Sequence, residues 1–234
     1  MADIRMRGFS SVPPVIKNLI IINVLVWLAE LTFGEVFVDK LSLHYYQSPD
    51  FGIWQLFTYM FLHAIPVDWI FHLLFNMFAL WMFGSTLENL WGSKRFLLFY
   101  LICGVGAALM QMGASAIEMN ILLDKLNQGK IALEQFKAQG GAIYNGIALG
   151  ASGAVMGVMV GFGYTFPNTP LYIIPIPIPI KAKYLVIGYV LFDLFSGINP
   201  NYGDTVAHFA HVGGALIGLI LMITMNRTNR RTFY

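Results

Sequence analysis

Six mostly apolar stretches alternate with polar segments along the chain. A helix needs about 20 mostly apolar residues to cross a bilayer, and these stretches approach that length. We therefore predict an all-α polytopic membrane protein with six transmembrane helices. The predicted spans, TM1 to TM6 in chain order, are 17–33, 69–87, 95–114, 147–166, 183–198 and 205–225.

Three connections between these spans have distinctive patterns. The first, 34–68, keeps so many apolar and aromatic residues that we expect it to lie partly in the membrane interface. The segment 115–145 is polar and charged, which predicts a short amphipathic helix outside the membrane. Pro175, Pro177 and Pro179 alternate with isoleucine, and this pattern predicts an extended connection between TM4 and TM5.

The composition agrees with a membrane protein and excludes several classes. Only 11% of the 234 residues are charged, against about 25% in soluble domains, and the mean hydropathy is +0.66. A disordered chain, a soluble nucleic-acid binder and an ordinary cytosolic enzyme are therefore excluded, and a net charge of +2 indicates no polyanionic partner. The single cysteine, Cys103, cannot form an intramolecular disulfide, and no Cys/His spacing is typical of zinc.

The basic residues predict how the chain crosses the bilayer. Most of the 14 Lys and Arg residues lie in segments that are cytoplasmic if the N-terminus is, so we expect both termini in the cytoplasm. The chain then divides into an N-terminal segment (1–16), a six-helix core (17–225) with an outer insertion (115–145), and a cytoplasmic tail (226–234). We expect a multi-pass protein of a prokaryotic inner membrane.

A small group of polar side chains falls inside the predicted spans, where such groups are costly and usually functional. They are His72 and Asn76 of TM2, Ser152 of TM4, and His208 and His211 of TM6. In the predicted orientation all five lie in the outer halves of their helices, at similar depth. The four-residue spacing of the TM2 pair puts both side chains on one helix face.

These residue types suit nucleophilic catalysis. A serine hydroxyl becomes reactive when a base takes its proton, and histidine is the usual base near neutral pH. We predict that Ser152 and His211 form such a dyad, and because no third carboxylate is obvious, a dyad is favoured over a triad. His72, Asn76 and the Ser152 backbone N–H could donate hydrogen bonds to a developing oxyanion. Asp193 of TM5 is either a proton-relay carboxylate or a paired core group.

Glycines surround the predicted dyad. Small residues let transmembrane helices approach closely, which would bring the imidazole to the hydroxyl. We expect this close contact from Gly150, Gly153, Gly157 and Gly161 of TM4 together with Gly214 and Gly218 of TM6.

Taken together, these motifs resemble those of the rhomboid intramembrane serine proteases. The three motifs, on the second, fourth and sixth spans, are His-x-x-x-Asn (His72, Asn76), Gly-x-Ser-Gly (Gly150, Ser152, Gly153) and Ala-His-x-x-Gly-x-x-x-Gly (Ala210, His211, Gly214, Gly218). The resemblance implies a six-helix rhomboid bundle in which Ser152 is the nucleophile and His211, not His208, is the base. It implies an oxyanion hole from His72, Asn76 and the Ser152 N–H. It also implies cleavage of transmembrane protein substrates in or near their membrane segments, without a metal or other cofactor, at a site facing the outer side.

Two positions depart from the family pattern. The first outer loop reads Trp54-Gln55 where the family usually carries Trp-Arg, and loss of that structural arginine predicts a less rigid loop. One turn after the serine, Met156 stands where the family often has an aromatic ring against the catalytic imidazole. We expect Met156 to fill that space with less control of ring orientation.

Other functional interpretations use the same polar residues. A rhomboid-like pseudoprotease would bind membrane clients without cleaving them. A small proton-coupled transporter would use His208, His211 and Asp193, and the two histidines could instead ligate a metal. An intramembrane aspartyl protease would need Asp193 and Asp204 to share a proton. The sequence specifies neither a particular substrate nor an oligomeric state.

Overall fold

The computed structural model describes residues 12–63, 70–172, 178–199 and 206–228, and most of them are helical. The helices are α1 (Pro14–Phe33), α2 (Glu35–Leu41), α3 (Gln55–Thr58), α4 (Ile70–Ala79), α5 (Ser85–Trp91), α6 (Ser93–Asn127), α7 (Leu133–Asn145), α8 (Ser152–Thr165), α9 (Ala182–Ile198) and α10 (His208–Thr228). The two-residue strands are β1 (Leu43–His44), β2 (Ile147–Ala148), β3 (Pro170–Leu171) and β4 (Ile180–Lys181).

Within the described ranges, four helical stretches are long and apolar enough to cross a membrane. They are α1, the continuous stretch Ile70–Trp91 formed by α4, a π-helical turn and α5, then α6, and His208–Asn226 of α10. The chain is thus a helical, multi-pass integral membrane protein. At 1.5 Å per residue, the 14 residues of α8 and the 17 of α9 span about 21 and 26 Å, less than a hydrocarbon core of about 30 Å. The count of six spans stays a prediction.

The helix predicted over 147–166 begins five residues later than expected. β2 pairs antiparallel with β1, with Leu43 opposite Ala148 and His44 opposite Ile147, so this part of the chain is extended. Gly150 follows with φ of +126°, a backbone conformation that favours glycine. Pairing with a distant strand therefore delays the start of α8 until Ser152.

The outer segment 115–145 differs from the single short helix that we predicted. The helix of TM3 does not stop near 114 but continues to Asn127, which makes α6 35 residues long. A turn with Gly129 at φ of +67° then leads into α7, so the chain forms a helical hairpin. At the α7 end of this hairpin the Tyr144 ring lies 6.4 Å from that of Tyr45, which connects the insertion to the first outer loop.

Gln55 braces the first outer loop instead of leaving it unsupported. Its side chain is fully buried, and its Nε2 donates to the carbonyl oxygens of Asp50 at 2.9 Å and Lys40 at 3.3 Å. Its Oε1 accepts the backbone N–H of His44 at 3.2 Å, next to the β1–β2 pairing. The Gln55 amide thus connects three separate points of the loop. This is the structural role expected of the arginine that the family usually carries at this position.

The connection between α8 and α9 is extended at its two described ends. β3 and β4 pair antiparallel, with Pro170 opposite Lys181 and Leu171 opposite Ile180. Pro175 and Pro177, on which part of the extended prediction rests, lie outside the described residues.

The centre of the molecule is a close contact between α8 and α10. A methyl group on Gly214 would overlap the carbonyl oxygen of Gly153, and one on Gly218 would lie 2.9 Å from the Gly157 Cα. The two backbones therefore touch at two successive turns, as the glycine pattern predicts. Gly161 differs, because it faces side chains of α5 and α6 instead of α10.

Candidate functional site

Ser152 is presented by a turn that the first outer loop holds in place. The backbone N–H of Gly150 donates to the carbonyl oxygen of Tyr59 at 3.0 Å, and the Tyr59 hydroxyl donates to the carbonyl oxygen of Gly104 in α6 at 2.7 Å. Gly150 then turns the chain, and Ser152 becomes the first residue of α8. The serine therefore sits at the N-terminal end of a helix, where backbone N–H groups have no partner within the helix.

His211 lies directly opposite the serine. Its Nε2 is 2.7 Å from Ser152 Oγ, and its side chain is buried. The approach depends on the contact of α8 with α10, because Gly153 and Gly214 each follow one of these two residues within a helical turn. The structure thus brings together the serine and the histidine that the motifs single out.

A carboxylate stands on the other side of the imidazole. Asp193, in the middle of α9, is only 1% exposed, and its Oδ1 lies 3.0 Å from His211 Nδ1 and 2.7 Å from His208 Nδ1. Sequence reasoning found no carboxylate for this site and left Asp193 between two roles. Its one available signal was a single acidic residue in an otherwise apolar span, which by default marks a functional group.

His72 and Asn76 border the serine from α4. A methyl group on Gly150 would lie 3.1 Å from His72 Cε1 and 3.6 Å from Ser152 Oγ, so the ring and the hydroxyl face the same small space. His72 Nδ1 is buried and has no hydrogen-bond partner among the described residues. Asn76 lies one turn further along α4, and its Nδ2 donates to the His72 carbonyl oxygen at 2.9 Å. The asparagine amide therefore bonds its own helix in this arrangement.

The aromatic ring that faces His211 comes from α9, not from the position one turn after the serine. The Tyr189 and His211 ring centroids are 6.4 Å apart, with the planes tilted by 36°. Met156 is buried in a small apolar cluster with Val160, Val186 and Ala215. Met156 thus belongs to this apolar cluster, and the aromatic ring near the imidazole is a tyrosine of the neighbouring helix.

The site also has a composition that could hold a cation. The ligand atoms of Asp193, His208 and His211 lie within 4.8 Å of one another, and carboxylate and imidazole are ordinary zinc ligands. Asp204, the second acidic residue of the aspartyl-protease alternative, lies outside the described residues.

Comparison with known proteins adds a family to this geometry. The model of the Rhomboid domain family matches residues 50–228. The Rhomboid protease AarA of Providencia stuartii is 25% identical over 225 residues, which cover 88% of this chain and 70% of that protein. The Rhomboid protease GlpG of Yersinia pseudotuberculosis serotype I is 22% identical over 228 residues, covering 95% and 66%. RHOMBOID-like protein 6, mitochondrial, of Arabidopsis thaliana is 30% identical over 169 residues, and the chain spans only 42% of its length.

Proposed function

Because the chain belongs to the rhomboid family, we propose that it is an intramembrane serine endopeptidase that uses Ser152 as nucleophile and His211 as base. The observation that carries this proposal is the 2.7 Å separation of Ser152 Oγ and His211 Nε2. The two side chains come from different helices whose backbones touch at glycines, so the pair is held ready for proton transfer. The substrates we propose are other membrane proteins, cleaved in or near their transmembrane segments.

Peptide cleavage on this pair proceeds in two steps. Ser152 Oγ attacks the scissile carbonyl carbon while His211 Nε2 takes its proton, and the tetrahedral intermediate then breaks its C–N bond as His211 returns that proton to the leaving amine. A water molecule next attacks the acyl-enzyme ester and gives a proton to His211. Cleavage of the C–O bond releases the carboxyl product, and the proton returns to Ser152.

The oxyanion that forms in each step needs hydrogen-bond donors. We assign them to the backbone N–H of Ser152, the His72 imidazole and the Asn76 amide. The N–H belongs to the first turn of α8, where the helix dipole also favours negative charge. The Asn76 amide would have to exchange its bond to the His72 carbonyl for one to the substrate, a change of one side-chain rotamer.

We place the active site on the outer side of a prokaryotic inner membrane. The supporting features are the distribution of basic residues in the sequence and the similarity to bacterial proteins named as rhomboid proteases. Relatives named as mitochondrial proteins are also similar to this chain. Localisation of a tagged copy after fractionation of the source cells tests this assignment.

The nucleophile is tested with a fluorescent fluorophosphonate on detergent-purified protein. In this reaction Ser152 Oγ bonds to phosphorus, fluoride leaves, and His211 takes the hydroxyl proton. We expect labelling of the wild type and of Ser196→Ala, a buried serine of α9 outside the site, but none of Ser152→Ala. The same variants are compared for cleavage of single-span model substrates.

Two outcomes contradict the proposal in different ways. Cleavage that survives Ser152→Ala would reject the serine mechanism. Folded wild-type protein that is neither labelled nor active would instead indicate a pseudoprotease that binds membrane clients.

A further inference from the structure

We propose that Asp193 is a positioning residue for His211, so that the site is a triad built across three helices, with His208 as a second imidazole on the same carboxylate. This inference rests on the proposed serine mechanism and adds to it a residue on α9. Asp193 reaches no reacting atom directly, and it acts through His211. The motifs on α4, α8 and α10 do not include it.

The contact with Asp193 determines the tautomer of His211. An ionised carboxylate oxygen can only accept hydrogen bonds, and Asp193 Oδ1 lies 3.0 Å from His211 Nδ1. The proton of a neutral His211 ring is therefore on Nδ1, which leaves the lone pair of Nε2 pointing at Ser152 Oγ, 2.7 Å away. This is the only neutral form in which the imidazole can take the serine proton.

The charge of Asp193 also matters for the reaction at His211. His211 becomes an imidazolium when it holds the serine proton, and a buried cation without a partner is costly. Asp193 is almost completely buried and already bonded to the ring, so its charge balances the imidazolium at the moment it forms. The contact with the carboxylate therefore prepares the resting ring, and its charge favours the transition state over the resting enzyme.

His208 contacts the same carboxylate oxygen as His211. Its Nδ1 lies 2.7 Å from the same Oδ1, while Asp193 Oδ2 is buried with no hydrogen-bond partner among the described residues. All of the polar contacts of the carboxylate in the described part of the chain thus converge on one oxygen. Two imidazoles, one helical turn apart on α10, hold that oxygen at the Nδ1 atom of His211.

A metal ion on the same three side chains is the competing interpretation. A cation bound to the Nδ1 atoms would require both to be without protons. The proton of His211 would then be on Nε2, facing Ser152 as a donor, and the ring could not act as base. Metal binding and the proposed catalysis therefore exclude each other at this cluster, and experiment can separate them.

The kinetic test follows the fluorophosphonate reaction of Ser152, which needs no identified substrate. Asparagine at position 193 would donate to His211 Nδ1 and invert the tautomer. We expect Asp193→Asn to lower the maximal labelling rate by about 10²- to 10⁴-fold with half-saturation changed less than about threefold. Asp193→Glu, which keeps the carboxylate, should label at least about tenfold faster than Asp193→Asn. His208→Gln should lower the rate by only about tenfold. The loss is smaller than for Asp193→Asn because His211 keeps its own bond to Asp193.

The matched control is Ser196→Ala, which alters the same buried face of α9 outside the cluster and should label at the wild-type rate. An Asp193→Asn protein that labels within about threefold of wild type would overturn the proposal. An asparagine variant with a normal maximal rate but impaired saturation would also overturn it, because a positioning residue acts on the chemical step.

A spectroscopic test keeps the proposal falsifiable if Asp193→Asn does not fold. In protein with ¹⁵N-labelled histidine, the Nδ1 proton of His211 should give a strongly downfield proton resonance that persists in His208→Gln, which removes the other imidazole on the same oxygen. Ser152→Ala should keep this resonance although it abolishes labelling, so failure of the serine mechanism and failure of the triad have different signatures. Absence of the resonance from wild-type protein would overturn the triad. Zinc inhibition that Asp193→Asn and His208→Gln relieve would reassign the cluster to a metal.

Discussion

The two sides of the His211 imidazole are built by different means. On the Nε2 side, Ser152 is held by the backbone contact of α8 with α10, where Gly214 leaves no room for a methyl group. On the Nδ1 side, Asp193 is carried by α9, whose buried residues form one narrow stripe along the helix. The rest of α9 exposes large apolar side chains, which are Tyr184, Ile187, Tyr189, Leu191, Phe192, Leu194, Phe195 and Ile198.

Different helices therefore determine the distance between Ser152 and His211 and the orientation of the His211 ring. The serine–histidine distance is determined by two backbones that cannot approach further or separate without repacking the centre of the fold. The tautomer and tilt of the ring depend on side chains of a helix that leaves most of its own surface uncovered by the other described residues. A change on α8 or α10 should therefore disrupt the nucleophile and the fold together, whereas a change on α9 should act on the ring alone.

Gly214→Ala should have the largest effect among the variants that leave the catalytic side chains intact. Its methyl group would overlap the Gly153 carbonyl oxygen, so the helices must move apart and the reactive pair is misplaced by more than about 1 Å. We expect cleavage to fall by about 10³-fold and the protein to lose about 1–3 kcal/mol of stability, measured by substrate cleavage and thermal unfolding in detergent.

Gly188→Ala on α9 is the matched control for that change. A methyl group there meets nothing within 4 Å among the described residues, so activity should stay within about twofold of wild type. If Gly214→Ala is as active as this control, the glycine contact does not determine the distance between Ser152 and His211.

Asn76→Ala tests a third side of the site, contributed by α4. If the asparagine is one oxyanion donor, its loss should lower the rate of cleavage by about 10²-fold, because the other proposed donors remain. The unfolding temperature should change little, because the Nδ2 bond to the His72 carbonyl lies within one helix. An unchanged rate would remove Asn76 from the oxyanion hole.

The sequence predicted the helix contact that depends on residue spacing within each helix. It did not predict the features that depend on contacts between segments distant in sequence. The glycine spacing on α8 and α10 predicted their contact, because close approach needs small residues on both helices. The start of α8 could not be predicted, since it depends on β1 pairing with β2 more than a hundred residues away. The contact of Asp193 with His211 depends on the rotation of α9 against α10, and no spacing within either helix contains that rotation.

Tyr189→Leu tests whether α9 also orients the His211 ring through an aromatic contact. The Tyr189 ring faces His211, and leucine would leave part of that face open so that the imidazole tilts more freely. We expect a loss of cleavage of about tenfold. Met156→Leu, which keeps the volume of a residue in an apolar cluster away from this ring contact, should stay within about twofold. The reverse order of effects would return the orienting role to position 156.

The smallest predicted effect concerns His63 and the pH dependence of stability. His63 lies on the side of the site bounded by the first outer loop. Its backbone N–H donates to the Glu30 carboxylate, its ring lies 5.3 Å from that of His72, and its Nε2 is buried with no partner among the described residues. Burial, and secondarily the neighbouring His72, lower the pKa of His63 to about 3. The folded protein therefore keeps this imidazole neutral at pH values where the unfolded chain binds a proton.

The free energy of unfolding should for this reason fall by up to about 1.4 kcal/mol per pH unit as the pH is lowered from about 6.5 towards about 3. Below that range His63 is protonated in both states and contributes no further change. His63→Gln cannot titrate and should flatten this part of the curve, measured as the thermal unfolding midpoint in detergent across that range. The variant should unfold at a lower temperature near pH 7 because it disturbs a packed position. Parallel curves for the two proteins would show that His63 titrates alike in both states, and the acid sensitivity would then belong to other groups.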